Sequence, residues 1–190
     1  MLAPPMRKSA ESYDYSTHQL LDKVRGLEPG LLKILQQLVE VESPSDDKAA
    51  VDRCVDAVAG AAESLGGRAK RHRQRHFGDV LELRFPPSRR KSASARPLML
   101  LGHLDTVWPL GTLAKMPFRI GDGRAWGPGT LDMKAGVGMG LTALATLRDL
   151  DALPRPVIFL LNSDEEVGST ASRPITENLA RDAEAVFVLE

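Results

Sequence analysis

Three short apolar runs in the second half of the chain each lead to side chains that can bind a metal ion. They occupy residues 97–102, 157–161 and 185–189. Continuous apolar runs of this length, separated by helical segments, are typical of strands buried on both faces of a parallel or mostly parallel sheet. Ligands bind outside the carboxyl ends of the strands in such sheets. The pattern therefore predicts an α/β fold in which the residues after the three runs meet at one edge.

Apolar residues at helical spacing predict the segments around these strands. Residues 31–39 form one such helix, which Pro44 ends because the residue before a proline avoids helical geometry. Ser45 is predicted to cap a second helix, and Gly66 to end it. Further helices are predicted at about 134–150 and 171–181, and further strands at 68–74, 79–85 and 124–126.

Composition restricts the function classes. The 190 residues are enough for one domain, and 25 basic residues balance 25 acidic ones, which gives no polyanion-binding signature. The basic stretch 68–76 could contact nucleic acid, but without interleaved aromatic residues a charged edge strand is the better interpretation. We therefore expect no nucleic-acid partner.

Cysteine content and hydropathy bear on the compartment. Cys54 is the only cysteine, so no intrachain disulfide is possible, and a packed thiol in a reducing cytoplasm is expected. The chain has no secretory h-region and no apolar run of membrane-spanning length, so no membrane association is predicted. Residues 1–25 are polar and contain prolines, which predicts a poorly ordered tail before a domain at 26–190.

The first candidate site residues follow the first apolar run and a later glycine-rich segment. His103 and Asp105 are two residues apart, so in an extended segment both point to one face. A metal-bound imidazole is often held by a carboxylate at its other nitrogen, although a polar pair on a loop is the alternative. Asp132 lies among glycines that allow close backbone approach, and the alternative there is a carboxylate at a helix N-terminus.

The acidic triplet at residues 164–166 follows a wholly apolar strand. Adjacent carboxylates at a buried strand end repel one another and lose solvation, which a dication would compensate; a solvated turn is the alternative. Glu165 and Glu166 project differently, so one can bind metal while the other acts as a general base. Glu190 alone indicates little. Together, however, these residues at one sheet edge indicate a metal site, and a two-metal site in particular.

Three motifs at residues 102–107, 127–136 and 163–168 occur in the order and spacing of a known family. On these residues the chain resembles the zinc-dependent aminoacylase and carboxypeptidase family, which includes glutamate carboxypeptidase, acetylornithine deacetylase and succinyl-diaminopimelate desuccinylase. Residues 107–118 are most similar to the glutamate carboxypeptidase branch. The resemblance implies a zinc-exopeptidase-like, three-layer catalytic domain with a mixed, mostly parallel sheet.

The resemblance also implies a role for each candidate residue. His103 would bind one zinc ion together with Glu190, Asp132 would bridge two ions, and Glu166 would bind the second. Asp105 would orient His103, and Glu165 would be the general base. The cofactor implied is a pair of Zn²⁺ ions, with Co²⁺ or Mn²⁺ as possible substitutes.

Members of this family continue beyond the matched region with a lid or dimerisation domain and a return to the catalytic domain. Residues 26–190 are therefore interpreted as the N-terminal part of the catalytic domain, in an apparently truncated chain that lacks the last histidine ligand. The chain alone is expected to be inactive, and its parent to be a homodimer.

The function expected of that parent is hydrolysis of a peptide or amide bond by a metal-activated water. The resemblance favours a carboxypeptidase that removes a C-terminal amino acid such as glutamate. The alternatives are an N-acyl-amino-acid deacylase of the same family and a non-catalytic truncated fragment. The substrate would be a small peptide or an N-acyl amino acid.

Overall fold

A five-stranded sheet with helices on both faces forms the body of the protein. The computed structural model describes residues 15–89 and 92–190. The helices are α1 (Thr17–Arg25), α2 (Glu28–Glu40), α3 (Lys48–Ser64), α4 (Ala135–Asp149) and α5 (Arg173–Asp182). The strands are β1 (Arg68–His72), β2 (Val80–Phe85), β3 (Leu98–His103), β4 (Arg119–Gly121), β5 (Arg124–Trp126), β6 (Val157–Asn162) and β7 (Ala185–Val188).

The strand order of the main sheet is β1-β2-β6-β3-β7, and β4 and β5 form a separate hairpin. Strand β3 pairs in parallel with β6 and with β7, whereas β2 pairs antiparallel with β6 and with β1. The predicted mixed α/β sheet is confirmed, with antiparallel pairings as numerous as parallel ones. The register places His103 opposite Asn162, so β3 and β6 end at the same level.

The apolar core lies on both faces of this sheet, as the predicted three-layer arrangement requires. On one face, α2, α3 and α4 pack against alternate residues of the strands, including Leu83, Phe159 and Leu161. On the other face, Leu179 of α5 packs in a smaller cluster with Ile158. Strand β6 is buried along its whole length, as its unbroken apolar sequence predicts.

Strand β7 departs from the predicted burial. Its apolar residues Val186, Phe187 and Val188 are 40%, 50% and 60% exposed. β7 is the last strand of the sheet and pairs only with β3 among the strands of the described ranges. The apolar run identified a strand correctly, but the expectation of burial on both faces is wrong for this one.

The N-terminal prediction also needs correction, because residues 17–25 form α1 inside the segment expected to be poorly ordered. A capping box starts this helix: the Ser16 hydroxyl accepts from the Gln19 N–H, and the Gln19 side chain accepts from the Ser16 N–H. That Ser-x-x-Gln signal was present in the sequence. The remainder of the predicted tail, residues 1–14, lies outside the described residues.

The predicted cap of α3 is wrong as well. The N-cap is Asp47, whose carboxylate accepts from the Ala50 N–H at 2.9 Å. Ser45 is buried instead, and its hydroxyl donates to the Asp105 carboxylate at 2.7 Å. Within the described part of the chain, no helix combines the length and the apolar character needed to cross a bilayer.

Candidate metal centre

The candidate residues reach one edge of the sheet from four different elements. His103 is the last residue of β3, and Glu190 follows β7. Glu165 and Glu166 lie in a short 3₁₀ turn after β6. Asp132 comes from the glycine-rich segment directly before α4. The carboxyl ends of the three parallel strands are level, which explains why residues so far apart in the chain meet here.

The imidazole of His103 is at the centre of this group. Its Nε2 atom lies 2.9 Å from Asp132 Oδ1, 3.5 Å from Glu190 Oε1 and 3.8 Å from Glu165 Oε2. The His103 side chain is buried, while the carboxylates are about half exposed. The edge therefore presents a buried imidazole nitrogen and several carboxylate oxygens that remain open to solvent.

Two sets of three residues have ligand atoms close enough to share an ion. His103, Asp132 and Glu166 form one set and His103, Glu165 and Glu190 form the other, with all ligand atoms of a set within 4.8 Å of one another. Imidazole nitrogen and carboxylate oxygens are the ligands of catalytic zinc sites. Four carboxylates around one imidazole also carry an excess of negative charge, part of which a dication would neutralise. The donor set thus fits a zinc-type ion.

The orientation of His103 comes mainly from the main chain. Its Nδ1 lies 2.9 Å from the carbonyl oxygen of Asp105 and 3.4 Å from the Asp105 carboxylate. A carbonyl can only accept, so Nδ1 carries the hydrogen and Nε2 is the atom directed at the carboxylates. Burial disfavours the imidazolium, but hydrogen bonds and charge from Asp105, with help from Glu165, outweigh it and raise the pKa of His103 to about 9.

Asp105 links the centre to the rest of the fold. Its buried carboxylate accepts from the Ser45 hydroxyl at 2.7 Å and from the main-chain N–H groups of Glu165 and Glu166, both at 3.2 Å. Burial alone would raise the pKa of Asp105, but His103 and Ser45 lead the interactions that lower it. No sequence pattern indicated the hydrogen bond from Ser45, because Ser45 is 60 residues away from Asp105 in the chain.

The two glutamates of the turn have raised pKa values. Burial is the largest cause for both Glu165 and Glu166, and nearby carboxylates add to it. For Glu165 those carboxylates include Glu190, whereas for Glu166 Asp132 leads; His103 acts in the opposite direction in both cases. A carboxylate with a raised pKa near an open site is suited to proton transfer.

Met133 and Lys134, which follow Asp132 directly, hold this segment in place through contacts with main-chain atoms. The Asp132–Met133 peptide bond is cis. The Met133 sulfur accepts from the main-chain N–H of His103 at 3.1 Å. The buried ammonium of Lys134 donates to the carbonyls of Leu38 and Val41, at 2.9 and 2.7 Å. Polar contacts to main-chain atoms leave no periodic trace in a sequence, so no pattern pointed to them.

Open space adjoins the centre on two sides. A cavity of about 260 Å³ is lined by His103, Glu165 and Glu190 together with Arg173 at the start of α5. A groove of about 300 Å³ on the other side is lined by Glu166 and by the apolar Val107 and Val167, among others. A substrate could therefore reach the carboxylates from solvent.

Comparison with known sequences relates the chain to a family of peptidases. Residues 99–190 match the sequence model of peptidase family M20/M25/M40. Carboxypeptidase G2 of a Pseudomonas species (strain RS-16) is 30% identical over 166 residues, which cover 86% of this chain and 39% of that protein. Succinyl-diaminopimelate desuccinylase of Corynebacterium glutamicum is 31% identical over 151 residues, covering 74% of this chain and 36% of that protein.

Solved structures show the same fold. Human carnosine dipeptidase 1 superposes with a TM-score of 0.75 at 19% identity, over 90% of this chain and 40% of that one. The M20 family metallo-carboxypeptidase Sso-CP2 from Sulfolobus solfataricus gives a TM-score of 0.69 at 20% identity, over 83% of this chain and 36% of that one. The chain thus spans about two fifths of the length of the relatives it matches.

Proposed function

Because this chain belongs to peptidase family M20/M25/M40, we propose that residues 26–190 are part of the catalytic domain of a zinc-dependent hydrolase. The reaction is cleavage of a peptide or amide bond that releases a C-terminal amino acid such as glutamate. The observation that carries the proposal is the convergence of His103 with Asp132, Glu166 and Glu190 at one sheet edge. The similarity to carboxypeptidase G2 supports the choice of reaction.

Each side chain has a separate part in this proposal. His103 and Glu190 would hold one zinc ion and Glu166 a second, and Asp132 would be a ligand that both ions share. His103 Nε2 and Asp132 Oδ1 lie 2.9 Å apart, a hydrogen-bond distance, so a small adjustment would let both contact one ion. Glu190 lies 3.5 Å from the same nitrogen and lines the cavity, whereas Glu166 lines the groove. Asp105 is a positioning residue that acts through His103 and the turn after β6.

Two zinc ions held here would polarise the scissile carbonyl and lower the pKa of the attacking water towards neutrality. Glu165 receives the proton of that water and later transfers it to the leaving amine. The raised pKa of Glu165 supports this part, since a carboxylate titrating nearer to neutrality can both accept and return a proton. Asp105, through the N–H of Glu165, keeps the turn in register with His103.

A second candidate function is deacylation of an N-acyl amino acid. Succinyl-diaminopimelate desuccinylases of two bacterial species are 31% and 39% identical over the regions they match. Both reactions cleave an amide bond, so the same carboxylates would serve either substrate. The carboxypeptidase and the deacylase would differ in whether the enzyme recognises the amino acid or the acyl group of the scissile amide bond.

Further parts of the proposal concern setting and assembly. The single cysteine, Cys54, is a buried free thiol, which is compatible with a cytoplasmic enzyme. A homodimer remains our expectation from the family resemblance, and Co²⁺ or Mn²⁺ are the expected substitutes for zinc.

The decisive experiment uses the protein in the length in which its organism produces it. Zinc stoichiometry is measured by calorimetry on metal-stripped protein, and hydrolysis of glutamyl and N-succinyl substrates is assayed with and without chelator. Two zinc ions and chelator-sensitive release of glutamate support the carboxypeptidase, and succinate release supports the deacylase. Zinc binding without hydrolysis of either substrate would favour a non-catalytic chain, and absence of zinc binding would overturn the metal centre.

A further inference from the structure

The first turn of α4 passes unusually close to the main chain that follows β7. A Cβ atom added at Gly136 would lie 2.2 Å from the carbonyl oxygen of Leu189 and 3.3 Å from its carbonyl carbon. Real Cβ atoms do not approach other atoms below about 3.0 Å. Because the obstructing atom belongs to the main chain, no side-chain rotation could relieve the overlap.

Leu189 is held on its other side by β3. Its N–H donates to the carbonyl of Leu101 at 3.0 Å, which continues the parallel pairing of β3 with β7. The residue is therefore fixed between a strand and a helix. The next residue is Glu190, whose carboxylate lies 3.5 Å from His103 Nε2. Any shift of Leu189 away from α4 would be transmitted directly to that carboxylate.

We propose that Gly136 is a positioning residue of the metal centre, which sets the place of Glu190 by letting the main chain of Leu189 approach α4. Gly136 has no ligand atom of its own and acts only through Glu190. The inference rests on the proposed function, because it assigns Glu190 to a zinc ion. It adds a determinant of metal affinity that lies outside the ligand set.

A purely structural role for Gly136 makes a different prediction. A Cβ there would also approach the Met133 methyl group to 2.9 Å, so Gly136→Ala could disturb packing without affecting Glu190 in particular. A matched control is Gly60→Ala in α3, where an added Cβ meets nothing within 4 Å. Replacing a helical glycine by alanine is normally stabilising when space is available, so the control should raise the melting temperature and leave zinc affinity unchanged.

The test is a double-mutant cycle on the protein in the length in which its organism produces it, with zinc affinity measured by calorimetry. Wild type, Gly136→Ala, Glu190→Gln and the double variant are compared, and each is checked for folding by circular dichroism. We expect Gly136→Ala to weaken zinc binding about 10-fold, the usual cost of losing support for a ligand. In the Glu190→Gln background the same substitution should change affinity by less than about 2-fold, because the ligand it positions is already gone.

Equal losses in both backgrounds, or no loss in either, would overturn the proposal while leaving the metal centre intact. If the wild-type chain binds no zinc, the metal centre fails first and this inference with it. If Gly136→Ala does not fold, Leu189→Ala replaces it in the double-mutant cycle. This substitution removes the contact of the Leu189 side chain with α4 at Gly140. A loss that depends on Glu190 supports the proposal there too, and a loss independent of Glu190 rejects it.

Discussion

The carboxylate of Asp105 accepts a hydrogen bond from the main-chain N–H of Glu165, at 3.2 Å. This bond joins the residue that follows β3 to the turn that follows β6. Asp105 is also the residue whose carbonyl fixes the Nδ1 side of His103. Asp105 thus relates the position of the proposed base, through its carboxylate, to the position of the proposed ligand, through its main-chain carbonyl.

Asp105→Asn tests that relationship. The amide keeps one acceptor oxygen but presents an NH₂ group to N–H donors, so the turn should lose part of its support. His103 should lose the carboxylate charge 3.4 Å from its Nδ1, while the carbonyl of residue 105 still accepts from that nitrogen. We expect zinc affinity to fall about 10- to 100-fold, as found for other groups that orient metal ligands. Calorimetry on the folded variant measures this, with the exposed Asp149→Asn on α4 as a control. Unchanged affinity in Asp105→Asn would show that the carbonyl of residue 105 is sufficient.

A second prediction concerns the acid stability of the fold. The Asp79 carboxylate is fully buried and lies 2.9 Å from Lys48 Nζ and from Arg73 Nη1. Burial alone would raise the pKa of Asp79, but hydrogen bonds and charge, led by Lys48, outweigh it and lower the pKa below its ordinary 3.8. A lowered folded-state pKa means that Asp79 stabilises the fold above pH 3.8, and that this contribution is lost as the pH falls through the lower folded value.

Asp79→Asn should therefore lower the free energy of unfolding at pH 7 by about 1.5–3 kcal/mol, the usual contribution of hydrogen bonds to a charged group. The difference from wild type should shrink as the pH falls through the folded-state pKa. Urea unfolding at a series of pH values measures both effects. Asp56→Asn, at a carboxylate that is 69% exposed, should change stability by less than about 0.5 kcal/mol. If the difference in unfolding free energy between wild type and Asp79→Asn were the same at all pH values, the titration of Asp79 would not be its cause.

A third prediction concerns Lys134, whose buried ammonium donates to the carbonyls of Leu38 and Val41 at the end of α2. Burial lowers the pKa of Lys134, but the two carbonyls still need its donors. Lys134→Met keeps the approximate shape and leaves both carbonyls without this partner. We expect a loss of about 1–3 kcal/mol in the free energy of unfolding.

The control for Lys134→Met is Lys33→Met at an exposed position of α2, which should be nearly neutral. Denaturant unfolding of both variants measures the difference. If Lys134→Met were as stable as wild type, the apolar replacement would compensate fully for the lost hydrogen bonds, as can happen for buried charges.

The features that the sequence predicted are those marked by local patterns of residue type along the chain. The apolar runs located β3, β6 and β7, and the level ends of parallel strands then implied that His103 and Glu190 meet at one edge. The glycines at residues 127–136 indicated a close backbone approach. A Cβ added at Gly129 would indeed lie only 2.6 Å from the Thr106 side-chain methyl group. Local patterns were sufficient for these features.

The unpredicted part depends on contacts between residues far apart in the chain. Ser45 was expected to cap α3, because the sequence shows its nearest neighbours and not Asp105, to which it donates. The Met133 sulfur and the Lys134 ammonium are both directed at main-chain atoms, which no side-chain pattern encodes. The exposure of β7 follows from its place in the strand order, which an apolar run alone cannot give.

The last prediction separates metal binding from proton transfer within the acidic turn. In the protein as its organism produces it, Glu165→Gln should reduce turnover about 10²- to 10⁴-fold, the usual contribution of a positioned acid–base group. Zinc content should remain close to that of wild type, because the proposed ligands are His103, Asp132, Glu166 and Glu190. Metal analysis and the hydrolysis assay on one preparation measure the two quantities together.

Glu177→Gln is the matched control, since Glu177 lines the same cavity but belongs to neither set of ligand residues. Glu165 lies 3.8 Å from His103 Nε2, in one of those sets, so the opposite assignment has a clear signature. If Glu165→Gln lost zinc while Glu166→Gln kept it, the base and the ligand would have to be exchanged.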